Sequence, residues 1–216
     1  MTVSECMGRL GRFRWKKPLA VFGDTKSYGT VVSPWFGRIV TALNVLKIDR
    51  ALHLGDAIPW QREKGAEHIE SVWRRYFDPV AEKYGGKLYH AVGNHDCWSK
   101  AAEKPYLKRA GKFFFSFDIG DMHVAVLNNA YDDSKPEGER DTGIVSEEQL
   151  RWLKHDLATP RKRGKRLFVA VHNPPWRMGG AVKKAWFRDV HPVLCEFGVQ
   201  AVFAGSKHYL AYDRFD

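Results

Sequence analysis

The sequence predicts an α/β fold built as one large domain, and three observations lead there. Short apolar runs alternate with segments whose apolar residues recur at helical spacing, an order that gives a mostly parallel sheet with helices outside it. Five of the runs stop at a small residue or turn that is followed by an acidic, amide or imidazole side chain. The 216 residues, 44% of them hydrophobic and 13% aromatic, fill one core, since single cores extend to roughly 250 residues.

Residues 1–17 form a basic leader and residues 18–216 the domain. The run 18–22 reads as a short strand that stops at Gly23 and Asp24. A helix is expected over 36–46, where Phe36, Ile39, Val40, Leu43 and Leu46 share a face. The strand 50–54 stops at Gly55 and Asp56. The segment 67–84 is helical in pattern, with Ile69, Val72, Trp73 and Tyr76 on one side and Asp78-Pro79 placed to kink or restart it. The strand 87–92 stops at Gly93 and Asn94. Residues 113–117 and 123–127, joined through 119–122, read as a β-hairpin. Residues 132–142 are polar, lack periodicity and read as a loop. Ser146 through Gln149 form a capping box opening a helix that buries Leu150, Leu153 and Leu157. The strand 166–171 ends at His172, a helix lies within 186–197 with Gly198 placed to stop it, and the strand 199–203 ends at Ala204-Gly205. There is no internal repeat and no low-complexity tract.

The 35 basic against 25 acidic residues leave a net charge of +10. That excess favours anionic partners: phosphate esters, nucleic acid or an anionic surface. Of the two densest basic runs, 161–166 reads as a solvated loop, whereas 12–17 interleaves aromatics with cations as single-strand binders do. Nucleic acid is a minor expectation on that ground. Cys6, Cys97 and Cys195 are odd in number with no CxxC pair, which argues against a disulfide framework or zinc knuckle. No apolar h-region opens the chain and no stretch approaches a membrane span, so the expectation is a cytoplasmic protein.

The chemistry gathers at the strand ends. Asp24, Asp56, the Asn94-His95-Asp96 run, His172 and His208 each follow one. In open α/β sheets, groups beyond the carboxyl ends of the strands converge on one crevice. Glycine at three of the joints lets the backbone turn sharply. Carboxylate, amide and imidazole together are ligands for Mn, Fe or Zn. Taken singly, each Gly-Asp or lone His reads as a turn or core residue; five such ends in one chain argue against that reading.

On these motifs, above all Gly93-Asn94-His95-Asp96 and His172-Asn173-Pro174-Pro175, the sequence resembles the calcineurin-like metallophosphoesterase superfamily, in its purple-acid-phosphatase-like and cyclic-nucleotide-phosphodiesterase-like branch. The likeness runs from about residue 20 to 216 and includes Phe115-Ser116-Phe117 and residues 148–153. It implies a four-layer αββα sandwich of two mixed sheets, with one or two divalent or trivalent metal ions (Mn, Fe or Zn) at the strand ends. Asp24 and His208 would bind the first metal, Asp56 would bridge, and Asn94 and His172 would bind the second. His95 would stand near the leaving group, steered by Asp96, and Lys26, Asn94 and His95 would contact substrate. The implied reaction is hydrolysis of a phosphate mono- or diester by metal-activated hydroxide. The implied partner is a small phosphate ester or nucleotide.

Two positions depart from the family pattern. Where Asp-x-His is usual the chain has Asp24-Thr25-Lys26, and where Gly-His-x-His is usual it has Gly205-Ser206-Lys207-His208. A lysine ammonium is a donor and a cation that opposes a metal, and a serine hydroxyl is a weak ligand. Three readings stay open: water or substrate fills the vacancies, Lys26 replaces part of the first metal's charge and grips phosphate beside a single ion, or the site has decayed into a phosphate- or nucleotide-binding module. Proteins of the family it resembles commonly continue into further strands that complete one sheet, and a truncated sequence, a short protein and a partner strand paired on an exposed edge all fit the chain as it stands. Trp35, Trp60, Trp98 and Trp176 are candidates for a substrate-pocket wall, and Tyr28 for an approach to the first metal. His53 and His90 read as structural, and His123, His155 and His191 show no partner pattern.

Overall fold

The structure, a computed structural model, describes residues 17–27, 33–60, 64–132, 134–136, 139 and 142–215. Most of the basic leader, Cys6, Tyr28 and parts of the 132–142 loop lie outside the described residues.

Two sheets form the centre. β1 (Ala20–Phe22), β2 (Arg50–His53) and β3 (Lys87–His90) pair in parallel in that order. β4 (Phe115–Ile119) and β5 (Met122–Val126) form the expected antiparallel hairpin, and β6 (Arg166–Val171) and β7 (Val199–Ala204) continue the second sheet in parallel. The second sheet is therefore mixed, while the first pairs only in parallel among the described residues. A register shift between Leu167 and Phe168 marks the β6–β7 pair.

Strand periodicity of two makes the layers. Leu52, Val124, Val126, Ala170 and Phe117 face the space between the sheets, where Tyr89 stacks on Phe117 with ring centroids 3.6 Å apart. Their neighbours Ala51, Ala125, Leu127, Val169 and Val171 face outward into two helix-covered cores. Over the first sheet lie α1 (Pro34–Val45), α2 (Ala66–Tyr76), α3 (Asp78–Ala81) and α4 (Lys100–Ala110). The second is covered by α5 (Glu147–Lys162) and a helical stretch of α6 (Gly180–Ala185), a π-helical turn (Trp186–Val190) and α7 (His191–Phe197). Helix, sheet, sheet, helix is the four-layer order expected. Fully burying each Leu, Val or Phe contributes about 1.5–3 kcal/mol, so three contiguous apolar layers hold the strand ends in fixed relation.

Local details refine the sequence reading. Phe77 breaks the second helix into α2 and α3 at the Asp78-Pro79 step. α4 had no clear sequence signal: Pro105 interrupts its interior and its apolar face is weak. It is fixed instead by ion pairs, with Arg109 reaching Asp78 (2.6 Å) and Glu70 (2.8 Å) across α3 and α2. The Gln149 backbone N–H donates to Ser146 Oγ at 3.3 Å, as a cap should. The Gln149 side chain does not close the box, however; it pairs with both backbone groups of Asn128 (2.7 and 2.8 Å) and so anchors α5 to the end of β5. His123 gains partners no local pattern showed, Asp118 at 2.7 Å and Asp156 at 2.8 Å. Cys97 is buried and Cys195 exposed, neither of them in a disulfide. No helix among the described residues is long and apolar enough to cross a membrane.

Candidate metal centre

Backbone hydrogen bonds tie the loops after β1 and β2 to each other, and likewise those after β6 and β7. Asp24 N–H donates to Gly55 O (2.9 Å), Lys26 N–H to Asp56 O (3.0 Å) and Gly205 N–H to His172 O (2.9 Å). Asp24, Asp56, Ser206 and His208 all adopt left-handed φ, between 55° and 70°. Such residues persist only where the surroundings determine them. A Cβ on Gly93 would land on the Asp56 backbone nitrogen and Oδ1, so only glycine allows that approach.

Asp56 is the hub and is 2% exposed. Its Oδ1 accepts the His95 N–H at 3.0 Å and lies 3.3 Å from His172 Nε2. Its Oδ2 accepts the Lys26 ammonium and lies 3.7 Å from His95 Nε2. Burial alone would raise its pKa, but His172, His95 and Lys26 outweigh burial and hold it below the ordinary carboxylate value.

His172 is fully buried and its Nδ1 donates to Leu54 O at 2.8 Å. That bond makes Nδ1 the donor and turns Nε2 toward the site. Nε2 meets two oxygens, Asn94 Oδ1 at 3.1 Å and Asp56 Oδ1 at 3.3 Å. Two oxygens and an imidazole nitrogen held this close share either a proton or a metal cation, and carboxylate, amide and imidazole suit Mn, Fe or Zn. The residues expected to hold the second metal therefore fit it.

The first position differs. Asp24, Asp56 and His208 do offer donor atoms all within 4.8 Å of one another. His208 Nε2 lies 3.1 Å from Asp24 Oδ1, an oxygen buried without a hydrogen bond. The Lys26 ammonium, however, stands among the three, bonded to Asp56 Oδ2, 3.2 Å from His208 Nε2 and 3.6 Å from Asp24 Oδ1. Lys26 is 6% exposed. Its expected grip on phosphate is corrected accordingly: the ammonium points inward at the ligand set, not outward at a substrate. Ser206 contributes its backbone N–H to Asp24 Oδ2 at 2.8 Å.

Asp96 also departs from expectation. Its buried carboxylate accepts the backbone N–H groups of Asp56 (2.8 Å), Ala57 (2.7 Å) and Gly93 (2.9 Å) and contacts His90 Nε2 at 3.2 Å. It makes no hydrogen bond to the His95 ring, whose buried Nδ1 has no partner. Asp96 therefore staples the β2 and β3 loops together and does not steer His95. His95 itself stands at the rim, its side chain 20% exposed, and burial lowers its pKa against the opposing pull of Asp56.

Of the four tryptophans, Trp60 and Trp98 come to the site, 4.6 Å apart by ring centroids, with Trp60 5.4 Å from His95. Trp35 lies exposed on α1 beneath Arg38, and Trp176 packs on Trp186 and Phe215; neither walls this crevice. Thr25 and the Leu54 carbonyl carried no sequence signal. Thr25 Oγ1 accepts from His53 Nε2 at 2.8 Å, while His53 Nδ1 accepts the Gly55 N–H at 3.1 Å. That pairing requires a neutral ring, and burial, then His90, hold the His53 pKa well below its usual value. The expectation that His53 is structural agrees with these bonds.

Comparisons with known proteins bear on the family and the fold. The profile of the calcineurin-like phosphoesterases matches residues 17–209. A cAMP/cGMP dual specificity phosphodiesterase of Mycobacterium tuberculosis is 29% identical over 87% of the chain, which spans 58% of that protein's length. Purple acid phosphatase 15 of Arabidopsis thaliana is 27% identical over 66% of the chain, which spans 27% of its length. In fold, the crystal structure of a dimetal phosphatase from Danio rerio superposes with a TM-score of 0.54 at 15% identity, covering 85% of this chain and 78% of that one. The chain belongs to the calcineurin-like phosphoesterase family.

Proposed function

We propose that the chain hydrolyses a phosphate mono- or diester at this crevice, with a metal ion held by Asp56, Asn94 and His172. The observation that carries the reading is the convergence of His172 Nε2 with the Asn94 and Asp56 oxygens at 3.1 and 3.3 Å. A bound ion supplies Lewis acidity toward phosphoryl oxygens and acidifies a water nucleophile. The chain's own part is positioning and electrostatics, which phosphoryl transfer chiefly needs. Asp56 fixes the loop bearing His95 through the bond to its N–H. The His95 ring at the rim is placed to exchange a proton or hydrogen bond with the departing oxygen. Trp60 and Trp98 give that side of the crevice an aromatic face, which favours an aryl or nucleoside leaving group over a bare sugar or inorganic one. The likeness to a cyclic-nucleotide phosphodiesterase supports the same preference.

The test is turnover by Mn- or Zn-loaded protein of an aryl phosphate, a bis-aryl phosphate and a cyclic nucleotide, with Asp56→Asn and His95→Ala as controls. The proposal expects at least one substrate to be cleaved and both variants to lose activity by tenfold or more. A second reading, a non-catalytic phosphate- or nucleotide-binding module, is favoured by the inward ion pairs of Lys26. Loaded protein that binds phosphate but cleaves none of the panel would establish it and overturn the first.

A further inference from the structure

The ligand set for the first metal and the residue that stands inside it do not agree, and the disagreement has a definite consequence. We infer that the Lys26 ammonium permanently occupies the first metal's place, so that this centre takes a single metal ion and uses the side chain of Lys26 as its second cation. The inference deepens the proposed hydrolytic function as to how the site is charged, but its core statement, one ion and one ammonium, stands or falls separately.

Geometry is the first argument. Asp24 Oδ1, Asp56 Oδ2 and His208 Nε2 converge on Lys26 Nζ, which hydrogen-bonds Asp56 Oδ2 and lies 3.6 Å from Asp24 Oδ1 and 3.2 Å from His208 Nε2. An ammonium has three donor directions and no lone pair; here it is provided with three acceptors by the same atoms that would coordinate an ion. Charge is the second. Two carboxylates, Asp24 and Asp56, against one ammonium leave a net negative charge, which one divalent ion between Asp56, Asn94 and His172 neutralises with a positive surplus for a phosphate. A second divalent ion would enter a site already holding two cations within a few ångströms, where like charges oppose binding strongly at low dielectric. Backbone is the third: Lys26 N–H is held by Asp56 O at 3.0 Å and the side chain is 5% exposed, so the ammonium cannot leave without breaking the buried ion pair. At the other position Ser206 supplies a backbone N–H to Asp24 and no imidazole, so the retained site relies on its three donors and solvent.

The test is metal counting on the whole chain, stripped with a chelator and reloaded with manganese. Elemental analysis and calorimetric titration should give one equivalent for the wild type, with the paramagnetic resonance of isolated Mn(II). Lys26→His supplies a ligand and removes the cation; it should take up a second equivalent and show the spin-coupled signal of two neighbouring ions. Lys26→Met, which removes the charge without adding a ligand, should tighten the single ion's neighbourhood for a second ion by at least tenfold relative to wild type, and its melting curve reports whether either variant is folded. Two equivalents and a coupled signal in the wild type would overturn the inference while leaving hydrolysis standing. One equivalent with no turnover on the phosphate ester panel would leave the inference standing and remove the hydrolytic reading. A folded Lys26→His that still binds one ion would show that Lys26 is not what excludes the other and would overturn the inference, and a wild type that binds no ion at millimolar manganese would overturn both.

Discussion

Replacing Asp96 with alanine should damage the molecule through its backbone and not through proton transfer. The carboxylate accepts three buried N–H groups at 2.7–2.9 Å, those of Asp56, Ala57 and Gly93. Each buried donor left unsatisfied costs about 1–3 kcal/mol. Because the three share one acceptor group and partial relaxation is available, the sum is better taken as roughly 3–6 kcal/mol than as three independent maxima. That is a large share of a typical stability of about 5–15 kcal/mol. With a urea m-value of about 2 kcal/mol/M, the denaturation midpoint should fall by roughly 1.5–3 M. Asp96→Asn should lie between alanine and wild type, since its amide keeps one acceptor and turns a donor toward a backbone N–H. The same loops carry Asp56 and Asn94, so manganese affinity should fall with stability. The assay is urea denaturation followed by fluorescence, with and without manganese. A midpoint shift under about 0.5 M, together with an altered pH profile of turnover, would refute this reasoning and restore the role of steering His95.

The remaining expectations concern charge and shape away from, and at, the rim. Burial pulls the His123 pKa down, but its bonds to Asp156 and Asp118 prevail and raise it. A raised folded pKa contributes stability that is complete below the unfolded value near 6.5 and is lost as pH rises through the folded value; His123→Gln should flatten the stability-against-pH curve above about pH 6.5, as read by thermal melting, and an unchanged slope would contradict it. The Glu70 carboxyl is lowered to about 2, chiefly by its hydrogen bond to Arg109, against some opposing burial. Its contribution is complete above about pH 4.5 and is lost as pH falls through about 2; Glu70→Gln should therefore weaken the protein most at pH 7 and by less than half as much near pH 3, and equal losses at both pH values would count against the ion-pair account. Trp60→Ala should raise KM for aryl and nucleoside substrates several-fold with a smaller change in kcat, because stacking contributes about 1–3 kcal/mol per ring; an equal effect on a substrate without a ring would remove the aromatic-wall argument.

Much of the fold was readable because strand identity and strand ends are local properties. All seven strands fall on apolar runs visible in the sequence, and the donors Asp24, Asp56, Asn94, His172 and His208 follow the ends of five of them. The replacement of a histidine by Lys26 was equally visible, but its meaning was not. Whether an ammonium replaces an ion or grips a phosphate depends on where Nζ lies relative to Asp24 and His208, and His208 is 182 residues away along the chain. Asp96 was misread for a related reason. Adjacency to His95 in sequence suggests partnership, yet successive residues in a tight turn point different ways, and the carboxylate turned inward to the amides of the neighbouring loop. His123 had no partner pattern because both its carboxylates are set by tertiary packing, one across the hairpin and one from α5. α4 escaped notice because a proline in its interior and a weak apolar face hide a helix that ion pairs hold in place. Trp35 and Trp176 were placed near the crevice by loop order alone, and packing took them elsewhere.

The most direct examination is a crystal of the manganese-loaded protein measured at the manganese absorption edge. One anomalous peak among Asp56 Oδ1, Asn94 Oδ1 and His172 Nε2, with the Lys26 ammonium still seated between Asp24, Asp56 and His208, is the result expected. Two peaks bridged by Asp56 with Lys26 turned away, or no peak beside His172, would contradict it.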